Sequence, residues 1–162
     1  MKTFLFLFTL FFLVAPVTQA SEEIKIADTS LSEHKGRIIV HVKELKKVEG
    51  LLGVSIYNSK KGFPEEHELA YANRIKKITA TEEDVVFENL PWGQYAVSIM
   101  HDENSNGKLD KKSFIFFAIP KEGVGVSNNP KIGKGGPKYE DSVFTLNTSE
   151  LDVNIAMKYL FQ

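Results

Sequence analysis

Apolar and polar residues alternate along most of this chain beyond residue 35. In segments 36–44 and 51–57 the apolar side chains recur at every second position. A period of two places these side chains on one face of an extended strand. Similar patterns predict further strands over 74–80, 84–88, 92–101, 114–119, 142–146 and 151–159. About seven to eight short strands separated by turn residues are typical of a β-sandwich.

The pattern therefore predicts an all-β chain folded as a single antiparallel β-sandwich, with its core over residues 36–159. The side chains expected between the two sheets are Ile38, Val40, Val42, Val54, Ile56, Phe87, Leu90, Tyr95, Val97 and Ile99. Ile39 and His41 fall on the opposite face of the first strand. Segment 62–71 reads as a loop with one helical turn. Segment 121–137, rich in Gly, Asn and Pro, reads as an irregular surface loop or a polar patch.

The first twenty residues have the pattern of a secretory signal peptide. An apolar run over 4–17 follows Lys2, and the small residues Thr18 and Ala20 precede the predicted cleavage site. We therefore expect a signal peptide over 1–20 and one domain over 21–162, located in the periplasm or secreted. An uncleaved amino-terminal anchor is the alternative. No membrane span is predicted in the mature chain.

Composition narrows the classes of function. The chain has 20 Lys and Arg against 21 Asp and Glu, so its net charge of -1 offers no general basic field for nucleic acid. It contains no Cys, so an exported form has no disulfides and depends on packing or a metal for stability. This composition favours bacterial export over a small disulfide-rich extracellular domain.

One segment, 102–110, carries a pattern of metal ligands. Its oxygen-bearing residues occupy positions one, three, five and nine of a loop, and Gly107 at position six allows a sharp turn. The predicted ligands of a Ca²⁺ ion are Asp102, Asn104, Asn106, Lys108 through its carbonyl, Asp110 and Glu122. Ser113 stands where an EF-hand has its bidentate Glu, so the predicted site is weak, with a dissociation constant of roughly 10⁻⁴ to 10⁻³ M.

Two questions about this loop stay open at this point. An acid from elsewhere must close the site, and Glu122 and Asp141 are the two that the fold is expected to bring there. The alternative to a metal site is a metal-free hairpin, because Asn106-Gly107 is a favoured turn pair and Asn and Asp bond to their own backbone.

Three motifs carry a resemblance to known proteins. F-E-N-L-P-W-G-Q-Y over 87–95 resembles a turn of transthyretin-like and collagen-adhesin-B-like sandwiches. Together with H-D-E-N-S-N-G-K-L-D over 101–110 and I-P-K-E-G-V-G-V-S-N-N over 119–129, it makes the chain resemble an exported bacterial family, domain of unknown function 2141. Ala118 departs from that family's usual Gly. The resemblance implies a transthyretin-like or Ig-like sandwich and export, and it implies no reaction.

These observations favour an exported, non-enzymatic binding or structural module with an envelope protein or a glycan as partner. The expected binding surface comprises Trp92, His101, Ser127, Asn128 and Asn129. One alternative is a carbohydrate- or peptide-binding module that uses the same loops. The other is a hydrolase that uses His101, Asp102 and Glu122, although the four His residues show no zinc-binding spacing.

Overall fold

The computed structural model describes residues 34–115, 117–131 and 135–160. Its strands are β1 Lys35–Lys43, β2 Leu51–Tyr57, β3 Ala72–Lys77, β4 Glu83–Pro91, β5 Gly93–Asp102, β6 Lys111–Ser113, β7 Ala118–Pro120, β8 Gly123–Val126, β9 Phe144–Leu146 and β10 Glu150–Ala156. A 3₁₀ turn spans His67–Leu69, and a single helical turn, α1, spans Tyr139–Ser142. The predicted signal peptide lies outside the described residues. Within them, no helix has the length and apolar character to cross a membrane.

The strands form two main sheets and one separate hairpin. One sheet has the order β10-β1-β4, and the other has the order β3-β2-β5-β8 with β9 also paired to β5. Within the described ranges, β6 and β7 pair with each other and with no other strand. The predicted all-β sandwich is confirmed. Its strand pairs are antiparallel except β1 and β10, which run parallel in register from Arg37 with Glu150 to Lys43 with Ala156.

The core lies between the two main sheets, at the positions that the alternation predicts. Ile38, Val40 and Val42 have no exposed surface, and every other side chain predicted for the core is buried as well. His41 lies on the outer face of β1, so the predicted register of this strand is correct. Burial of apolar side chains at alternating positions thus determines which face of each strand is exposed to solvent.

The predicted strand over 114–119 is wrong in part, because Ala118 and Ile119 lie in β7 but Phe114, Ile115 and Phe117 lie in no strand. The chain forms the β6–β7 hairpin, with Phe114, Ile115 and Phe117 between its two strands. Phe114, Ile115 and Phe117 are exposed there. A short apolar run has the same composition in a buried strand and at an exposed tip, so periodicity could not separate the two.

The predicted irregular loop over 121–137 is also wrong in part, because Gly123–Val126 forms β8 and pairs with β5. Its glycines are required by close packing. A Cβ atom at Gly123 would lie 2.7 Å from the ring of Tyr159, and one at Gly125 would lie 2.9 Å from Ile155 Cγ2. Glycine therefore marks a tight approach of strand to neighbour here rather than a loop.

Segment 62–71 is a loop with one helical turn, as predicted, and it covers part of the outer face of the β5 sheet. The carbonyl of Pro64 accepts hydrogen bonds from Tyr57 Oη at 3.3 Å and Ser98 Oγ at 2.8 Å. The 3₁₀ turn is placed by His67, whose Nδ1 lies 3.3 Å from Ser55 Oγ. These contacts hold the loop against β2 and β5.

Replacing Ile38 by Ala should lower the free energy of unfolding by about 2–4 kcal/mol, because the change removes buried apolar surface and leaves a cavity. Ile39→Ala is the matched control on the opposite, half-buried face of β1, and it should cost less. Chemical denaturation of both variants provides the measurement. Equal losses would contradict the assignment of the two faces.

Candidate metal-binding loop

The loop begins where β5 ends, at His101 and Asp102. Successive side chains of a strand point to opposite faces, so His101 turns into the sandwich and Asp102 turns outward. Both are nonetheless buried, with 0% and 2% of their surface exposed. The loop over 103–110 covers Asp102, and the chain passes through the β6–β7 hairpin before it returns at Glu122, immediately before β8.

The Asp102 carboxylate organises the turn of the loop. Its Oδ1 accepts the backbone N–H of Asn106 at 3.0 Å, and its Oδ2 accepts that of Gly107 at 2.7 Å. Gly107 has φ +75°, a conformation that L side chains rarely adopt. The acid at position one and the glycine at position six therefore act together to curl the backbone.

Asp110 receives the two asparagine side chains of the loop. Asn104 Nδ2 donates to Asp110 Oδ2 at 2.8 Å, and Asn106 Nδ2 donates to Asp110 Oδ1 at 3.4 Å. The oxygens of the same amides accept backbone N–H groups, Asn104 Oδ1 from Asn106 at 3.0 Å and Asn106 Oδ1 from Lys108 at 2.8 Å. The predicted ligand positions one, three, five and nine are thus gathered in one polar cluster.

Glu122 closes the loop by bridging its two ends. Its Oε1 accepts the backbone N–H of Glu103 at 3.0 Å, and its Oε2 accepts that of Asp110 at 2.9 Å. Only 4% of Glu122 is exposed. Of the two acids expected to reach the loop, Glu122 does so. Asp141 lies in α1, where its carbonyl accepts Asn128 Nδ2 at 3.4 Å.

The carboxylates of this cluster are compensated by dipoles and not by cations. No ion pair involves Asp102, Asp110 or Glu122 in the described part of the chain. Glu103, the residue after Asp102, pairs instead with Lys47, whose Nζ lies 2.5 Å from its Oε2. Buried carboxylates are normally paired, hydrogen-bonded or bound to a metal, and these are hydrogen-bonded to backbone N–H groups. The cluster therefore keeps a net negative charge that no cationic side chain among the described residues neutralises.

The donor set suits a hard cation. Carboxylate, amide and carbonyl oxygens are what Ca²⁺ prefers, and a carboxylate oxygen that accepts one N–H keeps a second lone pair. Asn104 and Asn106 would have to turn their amide oxygens towards the ion in place of their NH₂ groups. Across the described ranges, no three or more His, Cys, Asp or Glu side chains gather into a metal-binding group, so amides and a carbonyl would have to complete the shell.

His101 is buried between two distant segments of the chain. Its Nε2 donates to the carbonyl of Glu49 at 2.9 Å, and its Nδ1 lies 2.8 Å from Tyr159 Oη. A carbonyl can only accept, so in the neutral ring Nδ1 is the nitrogen that accepts the tyrosine hydroxyl. Both ring nitrogens therefore hold His101 in place, and with it the end of β5 from which the loop starts.

The Ser127-Asn128-Asn129 motif links the two sheets. Buried Ser127 Oγ accepts the N–H of Val97 at 2.9 Å and donates to the carbonyl of Ser142 at 2.6 Å. Asn128 Nδ2 donates to the carbonyl of Val143 at 2.9 Å. Asn129 bonds to β10 twice, through Nδ2 to the carbonyl of Asn154 at 2.9 Å and through Oδ1 to the N–H of Ala156 at 2.8 Å. These side chains, expected at a binding surface, are engaged within the fold.

Trp92 does not join the other residues of the expected binding surface. It precedes β5, and nine residues of extended chain separate it from His101, a span of roughly 30 Å. Its ring stacks on His34 with centroids 4.6 Å apart. Its Nε1 is buried and has no hydrogen-bond partner in the described part of the chain. The loop and Trp92 therefore belong to opposite ends of the sandwich.

Sequence reasoning missed a cleft beside the loop. It has a volume of about 1250 Å³, and its floor is the outer face of β5 and β8, including Met100, Val124 and Val126. Residues 107–109 of the loop and Phe117 of the hairpin line its wall. The apolar residues on the outward face of two strands were the available signal, because a wet face normally carries polar residues there.

A second polar cluster, also missed, lies on the outer face of the other sheet. His41 Nδ1 and Nε2 lie 2.7 Å from Asp84 Oδ1 and Asp152 Oδ1. Hydrogen bonds to Asp152 and then to Asp84 outweigh partial burial and raise the pKa of His41 above its ordinary value of 6.5. The cluster ties β1 to both of its neighbours, because the three side chains come from β10, β1 and β4.

His41→Gln should destabilise the protein more at pH 6 than at pH 9. A raised pKa in the folded state means that protonated His41 contributes stability fully below about 6.5, and that this contribution is lost as pH rises through the folded value. Urea unfolding at both pH values provides the measurement. Asp152→Asn should reduce the same pH-dependent difference. An effect of His41→Gln that is equal at both pH values would count against the charged cluster.

Ser127→Ala should cost about 1–3 kcal/mol, since it leaves the buried N–H of Val97 without its acceptor. Ser59→Ala, at an exposed loop position, should change stability by no more than about 0.5 kcal/mol. Thermal and urea unfolding of the two variants measure the difference. Indistinguishable variants would show that the Ser127 hydroxyl does not carry the link.

Comparison with known proteins places the chain by sequence. The model of a family described as "Uncharacterized protein conserved in bacteria (DUF2141)" matches residues 40–154. The matched span contains the loop, the hairpin, β8 and the Ser127–Asn129 motif, and it confirms the resemblance drawn from the motifs. No curated protein and no solved structure matches the chain.

Proposed function

We propose that this chain, which belongs to the bacterial DUF2141 family, is an exported, non-enzymatic binding module whose Asp102 loop takes Ca²⁺ as a structural ion. One observation carries the proposal. Asp102 and Glu122 are almost fully buried, Asp110 lies beside them in the cluster, and none of the three forms an ion pair in the described ranges. A divalent cation supplies the compensation that the protein's own side chains do not.

The loop is preorganised for this role. Backbone N–H groups already hold Asp102 and Glu122 in place, so an incoming ion orders few additional groups. The amides of Asn104 and Asn106 would have to turn, which exchanges their hydrogen bonds to Asp110 and to the loop backbone for contacts with the ion. With two loop carboxylates and a closing acid engaged with the backbone, affinity in the range of extracellular modules, roughly 10⁻⁴ to 10⁻³ M, is expected.

The alternative functions have less support. A hydrolase would need His101 to receive a proton from a substrate, and its two ring nitrogens are occupied in a buried position. A sugar platform at the loop would need Trp92, which lies at the opposite end of β5 and stacks on His34. We therefore keep the binding role and advance neither the hydrolase nor the sugar-binding platform.

The cleft beside the loop is the surface we assign to the partner. Its floor of Met100, Val124 and Val126 is apolar, and Glu65 and Lys111 lie among its walls. An apolar floor with a few charged groups at the edge suits a segment of an envelope protein better than a glycan, whose hydroxyl groups need polar partners. The Ca²⁺ loop forms one wall, so an ordered loop would define the shape of the cleft.

Millimolar Ca²⁺ should raise the melting temperature by a few degrees. A ligand that binds only the folded state adds RT ln(1 + [L]/Kd) to stability, about 1.4 kcal/mol at tenfold excess over Kd. Mg²⁺ should do less, because it demands a smaller and more regular octahedron. Differential scanning fluorimetry with each ion and with chelator provides the measurement.

Asp110→Asn and Glu103→Gln form a matched pair for this test, since each removes one carboxylate charge from the same loop. Asp110→Asn should abolish the Ca²⁺ shift. Glu103→Gln should leave it, because Glu103 turns outward to Lys47. Identical melting curves with Ca²⁺ and with chelator for the unaltered chain would contradict the proposal. They would show that the loop is a hydrogen-bonded turn that binds no Ca²⁺.

A further inference from the structure

The tip of the β6–β7 hairpin carries an exposed apolar group that nothing in the fold accounts for. Ile115 is 90% exposed, and Phe114 and Phe117 are 43% and 54% exposed. Ile115 is the most exposed of the large apolar residues in the described part of the chain. Single exposed apolar residues are common on protein surfaces, but neighbouring ones at a protruding turn indicate an interaction site.

The tip has a defined shape. The N–H of Phe114 donates to the carbonyl of Phe117 at 2.7 Å, which closes the turn. The two phenyl rings stack with centroids 4.9 Å apart and planes 25° from parallel. At the base of the hairpin, the N–H of Lys121 donates to the carbonyl of Asp110 at 2.8 Å. The apolar groups are therefore presented on a closed, hydrogen-bonded hairpin.

The charged side chains within the hairpin segment are all positive. Segment 111–121 contains Lys111, Lys112 and Lys121 and no Asp or Glu, in a chain whose overall net charge is -1. Lys112 Nζ lies 5.8 Å from the ring centroid of Phe114. Lys111 pairs with Glu65 across the cleft at 2.5 Å. All three lysines lie nearer the base of the hairpin than Ile115. The positive charges are therefore at the base, and the apolar side chains are at the tip.

We propose that this hairpin docks the protein on a lipid bilayer that contains anionic headgroups, with Phe114, Ile115 and Phe117 entering the interface. Apolar side chains gain by burial at the boundary of the acyl chains, and lysines gain by contact with anionic headgroups above it. The long stems of the lysines let their ammonium groups stay in the headgroup layer while the tip goes deeper.

Charge also decides between a bilayer and a second copy of the chain. Two hairpins that met tip to tip would bring Lys111, Lys112 and Lys121 of both copies together, and like charges at close range repel. An anionic membrane surface attracts the same three lysines. The inference does not depend on cation binding by the Asp102 loop, because the turn and the hairpin pairing are made by the hairpin's own backbone.

The test is co-sedimentation with vesicles of phosphatidylcholine alone and of phosphatidylcholine with 30% phosphatidylglycerol. The full sequence is expressed, and the amino terminus of the purified chain is read by mass spectrometry. Ile115→Ser is compared with Ile75→Ser, which makes the same change at a 75% exposed position of β3. Any contribution of the amino-terminal segment is the same in both variants and cancels in their comparison.

The unaltered chain should bind the anionic vesicles more tightly than the neutral ones, and binding should weaken as salt is raised. Ile115→Ser should lower the partition coefficient about tenfold, the effect of no longer burying one large aliphatic side chain. Ile75→Ser should leave it unchanged. Phe117→Trp should show a blue-shifted emission with anionic vesicles, against the constant background of Trp92 at the far end of β5.

Three results would overturn the proposal. The first is no sedimentation of the unaltered chain with either vesicle. The second is an equal loss in Ile75→Ser and Ile115→Ser, which would show that hydrophobicity alone, and not the hairpin, governs binding. The third is a dimer in analytical ultracentrifugation that Ile115→Ser converts to a monomer, which would show that a second copy covers the tip.

Discussion

The alternation of side chains along β5 is the constraint on which the rest of the structure depends. Val97, Ile99 and His101 face inward, and Ser98, Met100 and Asp102 face outward, because neighbouring positions of a strand cannot share a face. This one strand consequently supplies part of the core, the floor of the cleft and the first acid of the loop. A shift of one residue in its register would bury Asp102 among aliphatic side chains and expose His101.

The loop shows how buried carboxylates are stabilised without a cationic side chain. Asp102 and Glu122 accept four backbone N–H groups between them, two from within the loop and one from each of its ends. An N–H that is buried without an acceptor costs about 1–3 kcal/mol, so each acid satisfies backbone groups that the irregular chain would otherwise leave unpaired. The acids therefore have a structural role that holds with or without an ion. Asp110 and Glu122 flank the hairpin in sequence, and the N–H of Asp110 donates to Glu122 Oε2. This hydrogen bond therefore also fixes the point at which the hairpin leaves the sandwich.

The sequence predicts well whatever depends on local periodicity and poorly whatever depends on distant neighbours. Val40 and Ile56 were placed correctly, because a period of two determines the buried face. β8 was missed, since the reason for Gly123 and Gly125 lies in Tyr159 and Ile155, more than 29 residues away. His101 was expected at a binding surface, because its buried partners, 52 and 58 residues distant, could not be read from the sequence. Glu122 could be named as a closing acid, whereas its choice over Asp141 needed the fold.

The molecule departs from the usual separation of apolar and charged groups at two neighbouring places. Carboxylates are buried at Asp102 and Glu122, and an aliphatic side chain is almost fully exposed at Ile115. The first departure is stabilised inside the chain by backbone dipoles. For the second, 90% of the Ile115 side chain stays exposed to solvent, and the bilayer proposed above would bury it. Local rules of folding are broken most often at functional sites, where a protein binds another molecule. The kind of group that is out of place, charged or apolar, indicates the kind of ligand that would bind there. The buried negative charge is what the proposed Ca²⁺ would neutralise, and the exposed apolar tip is what the proposed bilayer would cover.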